Sequence, residues 1–283
     1  MAQEATIKVR KKYNYNLIIG CVISGLMFLM VLVGHFWTPY GENEYNSAAK
    51  LMAPCLEHLM GTDKLGRDVF SRVMIGAGDT YVVALVTVLI GVVFGTLVGA
   101  LTGYFGGWFD EVIMRINDVS LSFPSVLLAL IFVSLFGGGQ YNIILALGIL
   151  FIPSFARIVR SEMIRCKELE YVKSAKVQGA GCLRIIFVHI LPNTKISMLT
   201  AAMIGFNNAV LAEASMSYLG LGVQPPDASL GLMLYDAQSY LYNAPWYAIS
   251  TGIVMILIIL GFSMIGEGLR KNQCIGGASD DER

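Results

Sequence analysis

Residues 170–192 of the chain read EYVKSAKVQGAGCLRIIFVHILP and lie between two long apolar segments. Residues 162–177, which overlap the start of this segment, include no Pro or Gly. The absence of both residues favours a helix. Gly179 follows and is suited to cap that helix at its C-terminus. We call residues 170–192 the island, because a polar and basic segment in an apolar chain indicates a surface that lies in water beside a membrane.

The second half of the island has the pattern of an amphipathic helix. Its apolar residues follow the i, i+3, i+4, i+7 spacing that places side chains on one helix face. These residues are Leu183, Ile186, Phe187 and Ile190. Pro192 ends the pattern. The sequence therefore predicts two short helices that meet at a glycine corner.

Two functions fit this island. Small residues at the corner would let a foreign backbone or a bulky side chain approach closely, which favours a docking site for a partner protein. These small residues are Ser174, Ala175, Gly179, Ala180 and Gly181. The alternative is a basic amphipathic helix that lies on lipid headgroups. Spacing alone leaves both interpretations open.

The composition of the chain indicates an integral membrane protein. Of its 283 residues, 55% are hydrophobic and 14% are charged, and the mean hydropathy is +0.64. Soluble domains carry roughly a quarter charged residues. The formal net charge of zero gives no indication of a nucleic-acid partner. The five cysteines are scattered and predict no disulfide framework.

The apolar runs predict an all-α fold with six transmembrane helices, because a span needs about 20 mostly apolar residues. Residues 119–156 carry no charge but are too many for one span, and glycines at 137–139 divide them. The predicted spans are residues 17–37, 81–105, 119–136, 143–160, 196–219 and 246–267. They form one transmembrane domain, 17–270, between an N-terminal segment, 1–16, and a C-terminal tail, 271–283.

Lys and Arg are distributed unevenly between the two predicted sides of the membrane. With the N-terminus inside, sixteen of the 20 basic residues fall on the inner side. The outer ones are Lys50, Lys64, Arg67 and Arg72. Basic residues concentrate on the cytoplasmic side of membrane proteins. We therefore expect both termini in the cytoplasm, and the island on the same side between the fourth and fifth spans.

Glycines recur at every fourth position of the second predicted span. They are Gly91, Gly95, Gly99 and Gly103. Small residues at this spacing form a helix face that permits close contact with another helix in lipid. The pattern predicts helix packing there, either as a static contact or as an interface that slides.

Glu213 lies in the fifth predicted span and follows Asn207 and Asn208. Carboxylates within membranes are costly and usually functional. Its position eighteen residues after Lys195 corresponds to roughly 27 Å of helix, near the outer interface. We predict that Asn207, Asn208 and Glu213 belong to the outer end of a pathway or its gate. A structural carboxylate tied to a basic residue such as Arg67, or to backbone amides, is the alternative.

The sequence has no motif for catalysis or for ATP hydrolysis. It contains no GxxxxGK[ST] phosphate loop, no HExxH and no GxSxG. The spacing of Cys55, Glu57, His58 and Asp63 fits no recognised metal site. We therefore predict a non-enzymatic protein without a metal or cofactor of its own, driven by another polypeptide or by an ion gradient. A gradient-driven transporter should show two matching halves with broken helices, which the sequence lacks.

The island resembles the cytoplasmic signature loop of the permease subunits of bacterial ABC importers. In that family Glu-Ala-Ala, three residues, Gly, nine residues, Ile, one residue and Leu-Pro mark the loop. The corresponding residues here are Lys173, Ser174, Ala175, Gly179, His189, Leu191 and Pro192. Lys173 and Ser174 replace the first two residues of that pattern, and His189 replaces the Ile.

Four further segments resemble the permeases of dipeptide, oligopeptide and nickel importers, and most closely their second, or "C", permease. Residues 61–68, GTDKLGRD, match the family's GTDxxGRD segment. Its fixed positions are Gly61, Thr62, Asp63, Gly66, Arg67 and Asp68. The other segments are GYFGGWFD at 103–110, SYLGLGVQPP at 217–226 and APW at 244–246.

The resemblance implies half of an ATP-driven import pathway in a bacterial inner membrane. Its partners would be a second homologous permease, two cytoplasmic ABC ATPases that bind ATP and Mg²⁺, an extracytoplasmic solute-binding protein and the lipid bilayer. The island would be the coupling loop, beginning at Glu170. Di- and oligopeptides are the expected cargo, and nickel or a metal chelate is the alternative in the same family.

Overall fold

The computed structural model describes residues 14–280, and their side chains as far as Lys271. The helices are α1 Tyr15–Phe36, α2 Val69–Phe105, α3 Gly107–Ser122, α4 Ser125–Phe136, α5 Gln140–Lys167, α6 Glu170–Val177, α7 Cys182–Arg184, α8 Lys195–Tyr218, α9 Leu230–Gln238 and α10 Pro245–Asp280. A π-helical turn, Ile185–Ile190, and a 3₁₀ turn, Leu191–Asn193, follow α7. The described residues contain no β-strand beyond one isolated bridge, so the predicted all-α class is confirmed.

Five helices, α1, α2, α5, α8 and α10, are long and apolar enough to cross a membrane. α3 and α4 pass the same test as a pair and raise the number to six, but they meet at a bend of 87°. The predicted third span, 119–136, is therefore wrong as one continuous helix. Pro124 disfavours the helical conformation in the residue before it. Phe123 is accordingly extended, with φ −94° and ψ 144°.

Other helices differ from the predicted spans at their ends. α2 begins at Val69 rather than at residue 81, because the Asp68 carboxylate accepts a backbone N–H of the first turn at 2.7 Å and caps the helix. α5 continues to Lys167 rather than ending at residue 160, and α10 continues to Asp280 rather than giving way to a tail. Most of the predicted N-terminal segment and residues 281–283 lie outside the described part of the chain.

The glycine face of α2 packs directly against α5. All four glycines of the predicted face lie in this contact: Gly91, Gly95, Gly99 and Gly103. A Cβ atom at Gly99 would lie 2.3 Å from the carbonyl oxygen of Ala156, and one at Gly95 would lie 2.5 Å from Phe155 Cβ. Because only glycine permits this approach, the two helices form one closely packed body.

Three apolar clusters position the rest of the bundle. The largest joins α2, α8, α9 and α10 around Tyr81, Phe206 and Phe262, and the last two rings stack with centroids 4.0 Å apart. A second cluster joins α2, α4, α5 and α8. A smaller cluster lies where the island meets α2 and α5. The island is therefore packed against the helix bundle and is not an exposed free loop.

Candidate functional site

The corner of the island is built on a specific helix ending. Ala180 N donates a hydrogen bond to the Ala175 carbonyl, and Gly179 N donates to the Lys176 carbonyl, both at 3.0 Å. These two bonds form a Schellman motif, which requires a left-handed residue just after the helix. Gly179 has φ +81° and occupies that position. The chain therefore leaves α6 in a fixed direction.

The outward side of this corner is open and partly apolar. No atom lies within 4 Å of a Cβ atom built at Gly179 or at Gly181. Val177 is 89% exposed and Leu183 is 62% exposed, and Ser174, one turn before Val177 in α6, is also exposed. An apolar surface beside small residues is typical of a contact site.

The opposite side of the island is anchored to α5. The anchoring cluster contains Val172, Ala180, Ile185, Ile186 and Ile190 of the island with Val159, Met163 and Cys166 of α5. Leu183 and Phe187, which the sequence placed on the buried face, are exposed instead. The π-helical turn causes this difference, because its i→i+5 repeat brings Ile185 and Ile190 to one side.

The predicted helix over 162–177 is divided between α5 and α6, because α5 ends at Lys167 and α6 begins only at Glu170, the first residue of the island. Glu170 accepts a hydrogen bond from Lys173 Nζ at 3.1 Å, and both side chains are exposed. Lys176 Nζ lies 5.8 Å from the ring centroid of Tyr104 in α2. Glu170, Lys173 and Lys176 therefore pair locally or with α2, and they leave the glycine corner uncovered.

Two ion pairs join α3 to α5, and the sequence analysis missed both. Arg160 donates from Nε to Asp110 Oδ1 at 2.5 Å and from Nη2 to Asp110 Oδ2 at 2.6 Å. Arg157 Nη2 donates to Asp118 Oδ1 at 2.6 Å. Charged residues beside apolar segments were the available signal. Their partners lie far away in sequence, so spacing could not pair them.

A cavity of about 440 Å³ lies between the α3–α4 bend, α5 and α8. Its polar lining consists of Ser120, Ser125, Ser154, Asn208 and Ser215. None of the residues that line it is charged. Of the three predicted pathway residues, Asn208 lines this cavity, whereas Asn207 and Glu213 do not.

Glu213 is fully buried and bound by hydroxyl groups. Thr80 Oγ1 donates to one carboxylate oxygen at 3.1 Å and Ser217 Oγ donates to the other at 2.7 Å. Both hydroxyls accept backbone N–H groups, from Leu230 at 3.4 Å and Val223 at 3.3 Å. Glu213 thus joins α2, α8 and the segment leading to α9. These contacts favour the structural alternative for this carboxylate, with hydroxyl groups as its partners in place of Arg67 or backbone amides.

Residues 61–68 form a compact and buried structure before α2, and we call them the outer turn because the distribution of Lys and Arg predicts them on the outer side. Asp63 accepts hydrogen bonds from Arg67 Nε at 2.6 Å and from the backbone N–H groups of Leu65 and Arg67. Asp68 pairs with His58 Nδ1 at 2.9 Å. Thr62 and Asp63 have no exposed surface. The polar groups of the outer turn are therefore used within the fold.

The model of one protein family, the binding-protein-dependent transport system inner membrane component, matches residues 91–272. The match contains the glycine face of α2, the bent pair α3–α4, the island and α8. It therefore includes the elements that build both the island and the cavity.

Curated relatives extend this similarity over most of the chain. The dipeptide transport system permease protein DppC of Alkalihalophilus pseudofirmus is 39% identical over 259 residues, covering 92% of this chain and 85% of the relative. DppC of Escherichia coli K12 is 39% identical over 265 residues, covering 92% and 88%. The glutathione transport system permease protein GsiD of Salmonella typhimurium is 41% identical over 256 residues, covering 89% and 84%.

The fold is also similar to a solved transporter. A chain of the MetNI methionine ABC transporter, in an inward facing conformation, aligns with a TM-score of 0.59 and 19% identity over 71% of this chain and 95% of that chain. At this identity the likeness concerns the fold alone. Together with the family match and the relatives, it confirms the resemblance found in the sequence. The chain belongs to the binding-protein-dependent inner membrane transport components, as a non-catalytic permease subunit of an ABC importer of the peptide family.

Proposed function

We propose that this permease forms half of a translocation pathway for di- or oligopeptides and that its island couples the pathway to a cytoplasmic ATPase. The observation that carries the coupling role is the contrast between the two sides of the island. Val172 and Ile186 are fully buried against the bundle, whereas Val177, Gly179 and Gly181 are open. A force applied to the corner would therefore be transmitted to α5, because the two share a core.

The complete importer would contain partners that this chain needs for transport. A second homologous permease would complete the pathway, and two ABC ATPases would bind ATP and Mg²⁺. A solute-binding protein would deliver cargo on the outer side. In this arrangement the island and both termini lie in the cytoplasm. ATP binding would draw the ATPases together and displace the island, and the spans would then open the pathway to alternate sides.

The cavity supports a peptide cargo of variable sequence. Amide groups that leave water need hydrogen-bond partners, and the serine hydroxyls and Asn208 can supply them. A fixed charge in the lining would favour or reject particular cargo side chains. The uncharged lining avoids this selection, which would be left to the solute-binding protein.

The coupling role is tested by placing a bulky side chain at the corner. Ser174→Trp leaves the backbone conformation unchanged but fills the contact site. With the purified complex in liposomes, we expect uptake of a labelled dipeptide to fall at least tenfold and the ATPase subunits to dissociate more readily. Arg115→Trp, at an exposed position of α3 outside the island, is the control and should retain both properties. Normal uptake by Ser174→Trp would refute the coupling role.

Glutathione is the second candidate cargo, because relatives named for glutathione transport are 41% identical to this chain. It is a small peptide and would use the same uncharged lining. Competition decides between the two. If a dipeptide is the natural cargo, excess glutathione should leave dipeptide uptake largely unchanged, and excess unlabelled dipeptide should suppress it.

A further inference from the structure

We propose that the Asp110–Arg160 ion pair is a positioning device that makes α3 move with α5 and so carries a displacement of the island to both walls of the cavity. This inference rests on the proposed function, because it assumes that the island is displaced by a partner. It assigns a role to two residues that lie outside both the island and the cavity lining.

Apolar packing contributes little to holding α3 in place. The only fully buried residues of this helix are Asp110 and Asn117. Most of its large apolar residues face outward, with Trp108 79% exposed and Ile116 62% exposed, and the others are only partly buried. A helix that buries its polar groups and exposes its apolar ones is attached to the bundle mainly through those polar groups.

The helical backbone conformation is also interrupted at both ends of α3. At its start, Gly106 and Gly107 have φ +66° and φ +63°, a conformation that few other residues adopt. At its end, the extended Phe123 and the following Pro124 give the 87° bend to α4. Because neither junction continues a helix, the direction of α3 depends on what its side chains bind.

α5 reaches from the cavity to the island without a break. Its Ser154 lines the cavity, and its Met163 and Cys166 lie in the core shared with the island. Arg160 lies between these two regions. Its partner helix α3 supplies Ser120 and Leu121 to the facing wall of the cavity. The ion pair is thus a side-chain link between the helix that leads into the island and the opposite wall of the cavity.

The two ion pairs that join α3 to α5 differ in strength. Asp110 and Arg160 form two parallel charge-assisted bonds, and their side chains are 12% and 32% exposed. Paired bonds of this kind fix both distance and direction. Asp118 and Arg157 form a single bond and are each 55% exposed, so solvent weakens their interaction. The proposal therefore concerns the first pair.

Charge reversal tests the link. Asp110→Arg and Arg160→Asp each place like charges together, and the double variant restores an opposite pair. The purified complex in liposomes gives two readouts, uptake of labelled dialanine per ATP hydrolysed and subunit assembly. We expect each single variant to assemble and hydrolyse ATP but to lose at least tenfold in uptake per ATP. The double variant should recover to within threefold of the wild type.

A matched control lies on the same helix. Glu162 and Arg165 also form a two-bond pair, at 2.6 and 3.1 Å, but both belong to α5. Reversing this pair leaves α3 untouched and should leave uptake per ATP unchanged. Asp110→Asn removes the negative charge and one of the two acceptor oxygens without adding repulsion. It replaces any reversal variant that fails to assemble, and a loss of coupling in the same direction is expected.

A distance measurement makes the test independent of cargo. Genetically encoded spin labels at Ser122, at the end of α3, and at Leu56, which is 97% exposed in the outer loop, report movement of the cavity wall. Trapping ATP should change this distance in the wild type and the double reversal but not in the single variants. The proposal is overturned if single variants stay coupled, or if the double variant remains as poor as they are. A wild-type complex that moves but does not import dialanine would refute the peptide cargo alone.

Discussion

The outer turn and the island use the same backbone conformation for opposite purposes. Gly66 has φ +79° and Gly179 has φ +81°. A Cβ atom at Gly66 would lie 1.9 Å from the Asn46 carbonyl oxygen, whereas nothing lies within 4 Å of one at Gly179. The first glycine closes a buried structure and the second turns the chain at an open surface. A left-handed glycine therefore shows that the chain turns, and only its neighbours show whether the turn is structural or a contact site.

The largest difference between the two regions should appear when a carboxylate is removed. Asp63→Asn removes the negative charge that pairs with buried Arg67. It also removes a negative charge near Arg72, whose Nε lies 4.0 Å from Asp63 Oδ2. Loss of one partner of a buried pair costs about 3–5 kcal/mol. Glu170→Gln removes an exposed pair worth less than about 1 kcal/mol. Denaturant unfolding of the purified permease should separate the two variants, and equal stabilities would contradict the comparison.

The glycines provide the next test. Gly179→Ala places an ordinary residue in the left-handed region, which costs about 1–2 kcal/mol. Gly66→Ala carries the same backbone cost and also forces its methyl group against Asn46. We expect the melting temperature to fall clearly further for Gly66→Ala. Similar losses for the two variants would show that the outer turn can move aside.

Glu213 and Asn208 extend the comparison to the spans. Glu213→Gln cannot accept hydrogen bonds from Thr80 and Ser217 in the same way, and an imperfectly paired buried group costs about 1–3 kcal/mol. It should lower stability. Asn208→Asp adds a charge to the cavity and should lower peptide uptake with little change in stability. Denaturant unfolding and peptide uptake, measured on both variants, test these two expectations. A loss of uptake without a loss of stability in Glu213→Gln would place Glu213 on the pathway.

The smallest effect on stability is expected at Val177. Because this side chain is 89% exposed, Val177→Asp should change the free energy of unfolding by less than about 0.5 kcal/mol. It should nevertheless weaken ATPase association, as it places a charge in the proposed contact site. Co-purification of the ATPase subunits measures this effect. Unchanged association would remove Val177 from the contact site.

The sequence predicted the class of fold and the place of the island because both depend on local patterns. Apolar runs determine spans, and the glycine at 179 determines the corner. Hydropathy alone predicted one continuous span across Pro124, because a single proline hardly changes the hydropathy of a long apolar segment. A structural role for Glu213 was foreseen only as an alternative and with other partners, and the Asp110–Arg160 pair was not predicted, since each depends on groups brought together from distant parts of the chain.

The π-helical turn shows a different limit. The apolar pattern at 183–190 predicted one buried face of an α-helix, but only Ile186 and Ile190 of its four residues are buried. The wider turn buries Ile185 in place of Leu183 and Phe187. A spacing rule cannot give the buried face when the packing itself selects a rarer helix.

The most direct test of the account is photo-crosslinking from position 177 in membranes that contain the complete importer. A photoreactive amino acid there lies at the exposed corner of the island. We predict a crosslinked product with an ATPase subunit, identified by mass spectrometry, whose yield changes when ATP is trapped. Crosslinks to lipid alone would show that the island lies on headgroups, and would contradict the claim that it receives force from an ATPase.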